Sequence, residues 1–195
     1  MPGLIPLVLG AEGGVLAEPE LCAAALDGDL HRLGRAFHPV DLPVFPAARA
    51  AALAPGLPRG AALDLDSAAW VHGARRTAPD PPSACVDIAR RSRLPASSRH
   101  RVREVAAFAE GTQLLGAVLV TTPLRTALDL LRAPVEPDAA GRAALRLLVR
   151  RCGGSALVRE QLRAAGRLPH KERALERLER LCGRAAQPPC TRYTS

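Results

Sequence analysis

Arg90, Arg91, Arg93, Arg99, Arg101 and Arg103 are the densest run of one chemical group in the chain. Guanidinium groups at such spacing grip phosphate or carboxylate oxygens through paired N–H donors. The flanking segments 84–89 and 100–105 read as strands, so the six arginines occupy a hairpin and its loop. Strand alternation then sets Arg99, Arg101 and Arg103 on one face. A solvated sheet face in an arginine-biased chain accounts for the same row equally well. Catalytic groups are harder to assemble. Asp64 and Asp66 are the natural pair for a divalent cation, but no third ligand or base lies close in sequence, and capping and solvated strand-end roles explain both. Ser67 and His72 offer a nucleophile and a base without an orienting acid or a Gly-x-Ser-x-Gly elbow, so helix capping and helix-end placement explain them better. Cys22, Cys85, Cys152, Cys182 and Cys190 are odd in number and have no C-x-x-C spacing. Neither a disulfide framework nor a zinc site is expected. The expectation is a binding protein with no catalytic site, no metal and no cofactor.

The element that must position such groups is written most fully between Leu114 and Arg132. Leu114, Leu115, Ala117, Val118, Leu119 and Val120 read as one buried strand. Thr122 follows as a helix N-cap, and Pro123 takes the first helical position, where its missing N–H costs nothing. Leu124, Ala127, Leu128 and Leu131 recur at helical spacing. Arg125, Asp129 and Arg132 lie on another side of that helix at the spacing of a small charge ladder. Thr126 completes the segment.

This string resembles the T-[ST]-P-x-R-T-x-x-D-L-x-R segment of bacterial AbiEi-type proteins, the antitoxin and transcriptional-regulator half of type IV abortive-infection toxin-antitoxin systems. The upstream residues Asp66 to Gly73 (Ser67, Ala68, Ala69, Trp70, Val71, His72, Gly73) are similar to the S-A-A-W-L-x-G segment of the same family. Gly28 to Pro39, with Arg32 and Arg35, resembles the hairpin that closes its N-terminal winged helix. Ser67, Trp70, Gly73, Thr122, Pro123, Arg125, Thr126 and Asp129 would then be structural motif residues. The resemblance implies a non-enzymatic regulator that binds its own promoter DNA through the winged helix and counters a nucleotidyltransferase-type toxin. Arg32 and Arg35, aided by the arginines between 90 and 103, would supply the phosphate contacts. A nuclease is not expected, because Lys171 is the sole lysine and no acid, acid-x-lysine cluster exists.

Composition sets the outer bounds. At 195 residues and 48% hydrophobic content the chain can bury a core, although only 3% of it is aromatic, so Trp70, Phe37, Phe45 and Phe108 should matter for packing. Charge is uneven: residues 1–60 carry a net −2, residues 61–110 a net +2 and residues 111–195 a net +8. The positive field therefore belongs to the C-terminal half. Short helices are read at Leu4–Leu9 and Glu18–Leu26, then a wing hairpin through Leu30, Leu33 and Phe37. A connecting helix follows at Ala47–Ala54, and a strand at Ala61–Leu65 precedes a helix capped by Asp66 or Ser67. Three last helices span Asp138–Arg151, Ser155–Ala165 and Pro169–Cys182. On the last, Arg173, Arg177, Arg180 and Arg184 form a solvated stripe.

The reading is an α+β fold in three parts: a small, degenerate winged-helix-like module over residues 1–45, a mixed-sheet domain with C-terminal helices over 46–184, and a disordered tail over 185–195. Met1–Gly10 lacks the basic start of a signal peptide and is too short for a membrane span, so a cytoplasmic protein with reduced thiols and no membrane contact is expected. The shortened, acidic N-terminus also admits a second reading, an orphan interaction module or remnant that no longer reads DNA.

Overall fold

A helix ending in glycine and a pair of four-residue strands come first among the described residues, and their core is one small cluster. The structure is a computed structural model and describes residues 16–89, 99–106, 108–166 and 168–182. Helix α1 (Glu18–Asp27) starts with Pro19 in its first turn and leads into strands β1 (Leu30–Leu33) and β2 (Ala36–Pro39). These two pair antiparallel, with Arg32 opposite Phe37. Leu21, Leu30 and Phe37 form the cluster beneath them. The helix expected at Leu4–Leu9 and the tail at 185–195 lie outside the described residues.

The remainder is a five-stranded sheet covered by helices, and the fold is α+β as expected. Its strands are β3 (Ala62–Leu63), β4 (Ser83–Asp87), β5 (Arg101–Val105), β6 (Thr112–Leu115) and β7 (Val118–Thr121), in the spatial order β5-β4-β3-β7-β6. Helix α2 (Pro46–Leu53) precedes the sheet, α3 (Leu65–Val71) follows β3, and α4 (Pro123–Arg132) follows β7. Helices α5 (Ala139–Arg151), α6 (Ser155–Ala164) and α7 (Lys171–Cys182) complete the described chain. Among the described residues no helix is long and apolar enough to cross a membrane.

Two expectations about strands need correction. The segments around 84–89 and 100–105 do not form a hairpin, because β4 and β5 run parallel, with Cys85 beside Arg103. Parallel neighbours need a crossover connection rather than a tight turn. The apolar run from Leu114 to Val120 is two strands, not one. β6 and β7 pair antiparallel with Leu115 opposite Val118, and Gly116 turns the chain at φ +62°, as two-residue hairpin loops favour. The run reads as continuous because both strands carry apolar residues and the turn holds only Gly116 and Ala117.

The main core lies where the hairpin meets the sheet domain. Leu33 and Ala36 share one cluster with Ala48 and Leu53 of α2, Leu63, Val71, Val120 and Trp70. Trp70 is buried, as its place in an aromatic-poor chain suggests. A second cluster joins Leu131 of α4 to Leu145, Val158, Leu162, Leu178 and Leu181 of the last three helices. The arginine stripe expected as a solvated face on α7 is broken at Arg177, while Arg180 is exposed and Arg184 lies outside the described residues. Arg177 is 2% exposed, and its Nη1 donates to the carbonyls of Leu130, Leu131 and Ala133 at the end of α4. Glu136 pairs with both Arg177 and Arg180. A cation at a helix C-terminus, satisfying its last carbonyls, pins α7 to α4.

Thr122 is the N-cap of α4 as expected: its side-chain oxygen accepts from the Arg125 N–H at 3.2 Å, and Pro123 opens the helix. Thr122→Ala should therefore lower unfolding stability by about 1 kcal/mol. An unchanged urea midpoint would contradict the cap.

Candidate functional site

Three groups of side chains gather the residues singled out in the sequence. The first is a groove of about 510 Å³ between the hairpin and the sheet domain. Arg32 and Arg35 reach it from β1 and the β1–β2 turn, Arg49 from α2, and Arg76 from the loop after α3, while Trp70 and Leu53 form part of its floor. Arg32 stacks on Phe37, 4.9 Å from the ring centroid. Arg49 lies over Trp70 at 5.2 Å, and its Nη1 donates to the Trp70 carbonyl at 3.4 Å. Asp80 is the acid of the groove and pairs with Arg35 at 2.9 Å. Both partners of that pair are about two-thirds exposed (65% and 64%), so it is weak and either can exchange partners. Burial, then the charge of Arg151, holds the Arg49 guanidinium below its usual range. Four arginines against one exposed acid give this groove a net positive charge.

The second group is a buried ionic cluster built from the Thr-Pro-x-Arg-Thr segment. Asp129 is buried rather than part of a surface ladder. Its Oδ2 accepts from Arg103 Nη2 at 2.6 Å and Arg125 Nε at 3.1 Å, and its Oδ1 accepts from Arg132 Nη1 at 3.3 Å. Arg103 also donates through Nε to Asp64 Oδ2 at 2.5 Å. Asp64 is fully buried at the end of β3, which corrects its expected place at a solvated strand end. Its Oδ1 has no hydrogen-bond partner among the described residues, and burial pushes its carboxyl above the usual range against the opposing pull of Arg103. Arg103 therefore does not present its charge in a row with Arg99 and Arg101. Alternation does put Arg101 and Arg103 on the same face of β5, but Arg103 is drawn in toward α4 by Asp129. Arg99 and Arg101 are exposed, while Arg90, Arg91 and Arg93 lie outside the described residues. The spacing of Arg125 and Asp129 showed their mutual contact. No local pattern showed that Arg103, from a distant strand, would close the cluster.

The third group ties α3 to the sheet. Asp64, not Asp66 or Ser67, is the N-cap residue of α3, without a side-chain capping bond, and Leu65 enters the helix at φ +44°. Ser67 lies inside the helix, where its Oγ accepts from the Ser83 N–H at 2.7 Å, and Ser83 Oγ donates to the Asp64 carbonyl at 2.7 Å. Asp66 pairs with Arg75. His72 stands at the end of α3, as expected, and its Nε2 hydrogen-bonds the Thr121 carbonyl at 2.7 Å. Thr126 bonds Thr121 through their hydroxyls at 2.8 Å. Ser67 and His72 are thus committed to different partners and do not form a dyad. Gly73 follows at φ +68°, the left-handed position that ends many helices. A β-carbon there would meet the Arg151 guanidinium at 3.6 Å.

His72 gives this group a pH dependence. Burial, then the repulsion of Arg151, pulls its imidazole below the ordinary 6.5, with the Thr121 bond opposing. The folded state therefore binds fewer protons than the unfolded chain, and its contribution is complete above pH 6.5 and lost as pH falls through the lower folded value. The urea midpoint should drop between pH 7 and 5, and His72→Gln should flatten that slope. An equal slope in both proteins would refute the assignment. Cys85 is buried beside Asp64, and burial, then that carboxylate, pushes its thiol up to about 12, so it is no nucleophile at neutral pH. Among the described residues no group of three His, Cys, Asp or Glu side chains is placed to hold a metal ion.

No family model matches the chain, and no curated protein matches it. Among solved structures it is similar to the crystal structure of the RV2827C protein from Mycobacterium tuberculosis, at 17% identity and a TM-score of 0.48, over 90% of this chain and 71% of that one.

Proposed function

We propose that the protein acts by binding rather than catalysis, as an antitoxin-like transcriptional regulator. It contacts its own promoter DNA through the hairpin groove and counters a nucleotidyltransferase-type toxin. The observation that carries this reading is the groove itself: Arg32, Arg35, Arg49 and Arg76 converge on one surface with only the exposed Asp80 beside them. Such a surface suits phosphate oxygens, which supply most of the affinity of a DNA-binding protein. The two buried carboxylates support the non-catalytic half. Asp64 and Asp129 are engaged by Arg103, Arg125 and Arg132, which stand where a cation would have to sit. The resemblance of Ser67–Gly73 and Thr122–Asp129 to the antitoxin family supplies the rest.

One feature favours the second reading, an interaction module without sequence-specific binding. Helix α1, which leads into the hairpin, carries Glu18, Glu20 and Asp27 and no basic residue, so it is poorly charged for a DNA groove. Base reading would then fall to the hairpin alone. Co-expression tests the toxin half: the protein should restore growth to cells expressing a nucleotidyltransferase encoded beside its own gene. Continued growth arrest at equal expression would argue against it.

A further inference from the structure

Helix α5 carries Arg142, Arg146, Arg150 and Arg151 and not one acidic residue. The first three recur every fourth residue and are exposed. Arg142 donates to the Pro137 carbonyl and Arg146 to the Leu181 carbonyl, so both bond to backbone. None of the four forms an ion pair among the described residues, whereas Arg35, Arg75, Arg103, Arg125, Arg132, Arg177 and Arg180 all do. The carboxylates of neighbouring α7, Glu172, Glu176 and Glu179, are exposed and lie beyond ion-pair distance of α5. Two of the arginines fall in the last turn, where the helix dipole favours cations, so the fold tolerates the charge without neutralising it.

Arg151, next to Arg150 at the end of α5 and on the side that faces α3, adjoins the hairpin groove. Leu148 of α5 packs with Ala69 and Ala74 at the end of α3, which brings Arg151 beside Gly73. Arg151 and Arg49 are close enough to repel each other. Arg49 in turn lines the groove with Arg35 and Arg76. Positive charge therefore runs from the hairpin, across the end of α3, onto α5.

We infer that the α5 stripe is a second contact with the DNA backbone, so that duplex DNA held in the hairpin groove continues along Arg146, Arg150 and Arg151. The spacing fits. Four residues of helix rise about 6 Å, roughly two base-pair steps of 3.4 Å, so successive guanidinium groups meet separate phosphates. Nothing on α5 reads bases, and the contact raises affinity for any duplex while leaving sequence preference to the hairpin. This inference rests on the DNA-binding reading proposed above and adds a separate surface to it.

The test is the salt dependence of binding to a duplex from the gene's own upstream region, followed by fluorescence anisotropy between about 50 and 200 mM salt. Arg146→Gln with Arg150→Gln should lower the slope of log K against log salt by about 2, at roughly 0.9 for each phosphate no longer neutralised. Arg146→Lys with Arg150→Lys should restore most of it. Arg35→Gln with Arg76→Gln, in the groove, should lower the slope independently. A wild-type slope in the α5 glutamine pair, or no recovery in the lysine pair, would overturn the inference. If the groove pair still showed a reduced slope, the DNA-binding reading would stand. A wild-type protein that binds no duplex at the lowest salt would remove both. Circular dichroism melts of each pair confirm folding, since both α5 side chains are exposed.

Discussion

Arg103→Met should cost the protein about 3 kcal/mol of unfolding stability, a large part of what a domain of this size holds. Among the described residues, Arg103 is the side chain that bonds both Asp64 and Asp129. Its removal leaves a fully buried carboxylate with no cation and another with two of its three. Breaking a buried pair from one side costs about 3–5 kcal/mol. The lower end applies because 36% of the Arg103 side chain is open to solvent. The loss should depend on pH with a definite sign. Burial already raises the Asp64 carboxyl above its ordinary 3.8, and without Arg103 it rises further. The folded variant then binds more protons than its unfolded chain, so its stability falls as pH rises above 3.8. The deficit against wild type should shrink on acidification. Adding Asp64→Asn should recover part of it at neutral pH. Urea melts of the two variants at pH 7 and pH 4.5 decide the matter, and a deficit that ignores both pH and the Asn substitution would contradict the cluster.

Trp70→Ala should be as damaging, at about 3–5 kcal/mol, the usual cost of emptying a large aromatic site in a close-packed core. The indole is 2% exposed and joins Leu33 and Ala36 of the hairpin to α2 and the sheet. It is the only tryptophan, so the melt must be followed by circular dichroism. The cavity opens beneath the hairpin, and Arg49 loses the ring it stacks on. DNA affinity should therefore fall even at temperatures where the variant remains folded. Trp70→Phe should lose less in both measurements. An alanine variant with the wild-type midpoint would mean that the hairpin does not depend on this core.

How legible all this is in the sequence depends on distance along the chain. Thr122, Pro123 and the apolar residues of α4 encode a local event, a capped helix start, and the structure has it where the residues say. The same holds for Pro19 and α1, for the hairpin through Phe37, and for Asp138, whose carboxylate caps α5. Pairing is less readable. Whether β4 and β5 run parallel depends on the path of the chain between them, and an Arg- and Ser-rich sequence reads as a hairpin turn in either case. The cluster is half legible: Arg125 and Asp129 are one helical turn apart, but Asp64 and Arg103 arrive from strands that the sequence separates widely. An ionisable residue looks solvated until the opposing charge is found, which is why Asp64, Asp129 and Arg177 all read as surface groups in the sequence. The arginines of α5 recur with helical periodicity as those of α7 do, yet only the structure distinguishes the two, since the α5 side chains are exposed while Arg177 of α7 is buried against α4.

The proposed function requires the hairpin groove to bind promoter DNA. Its most direct test is the affinity of the purified protein for a duplex from its own upstream region, set against a scrambled duplex of equal length at the same ionic strength. Binding to the upstream duplex should be at least tenfold tighter, about 1.4 kcal/mol. Arg32→Gln with Arg35→Gln should weaken both complexes. Equal affinity for the two duplexes, or wild-type affinity in the hairpin variant, would contradict it.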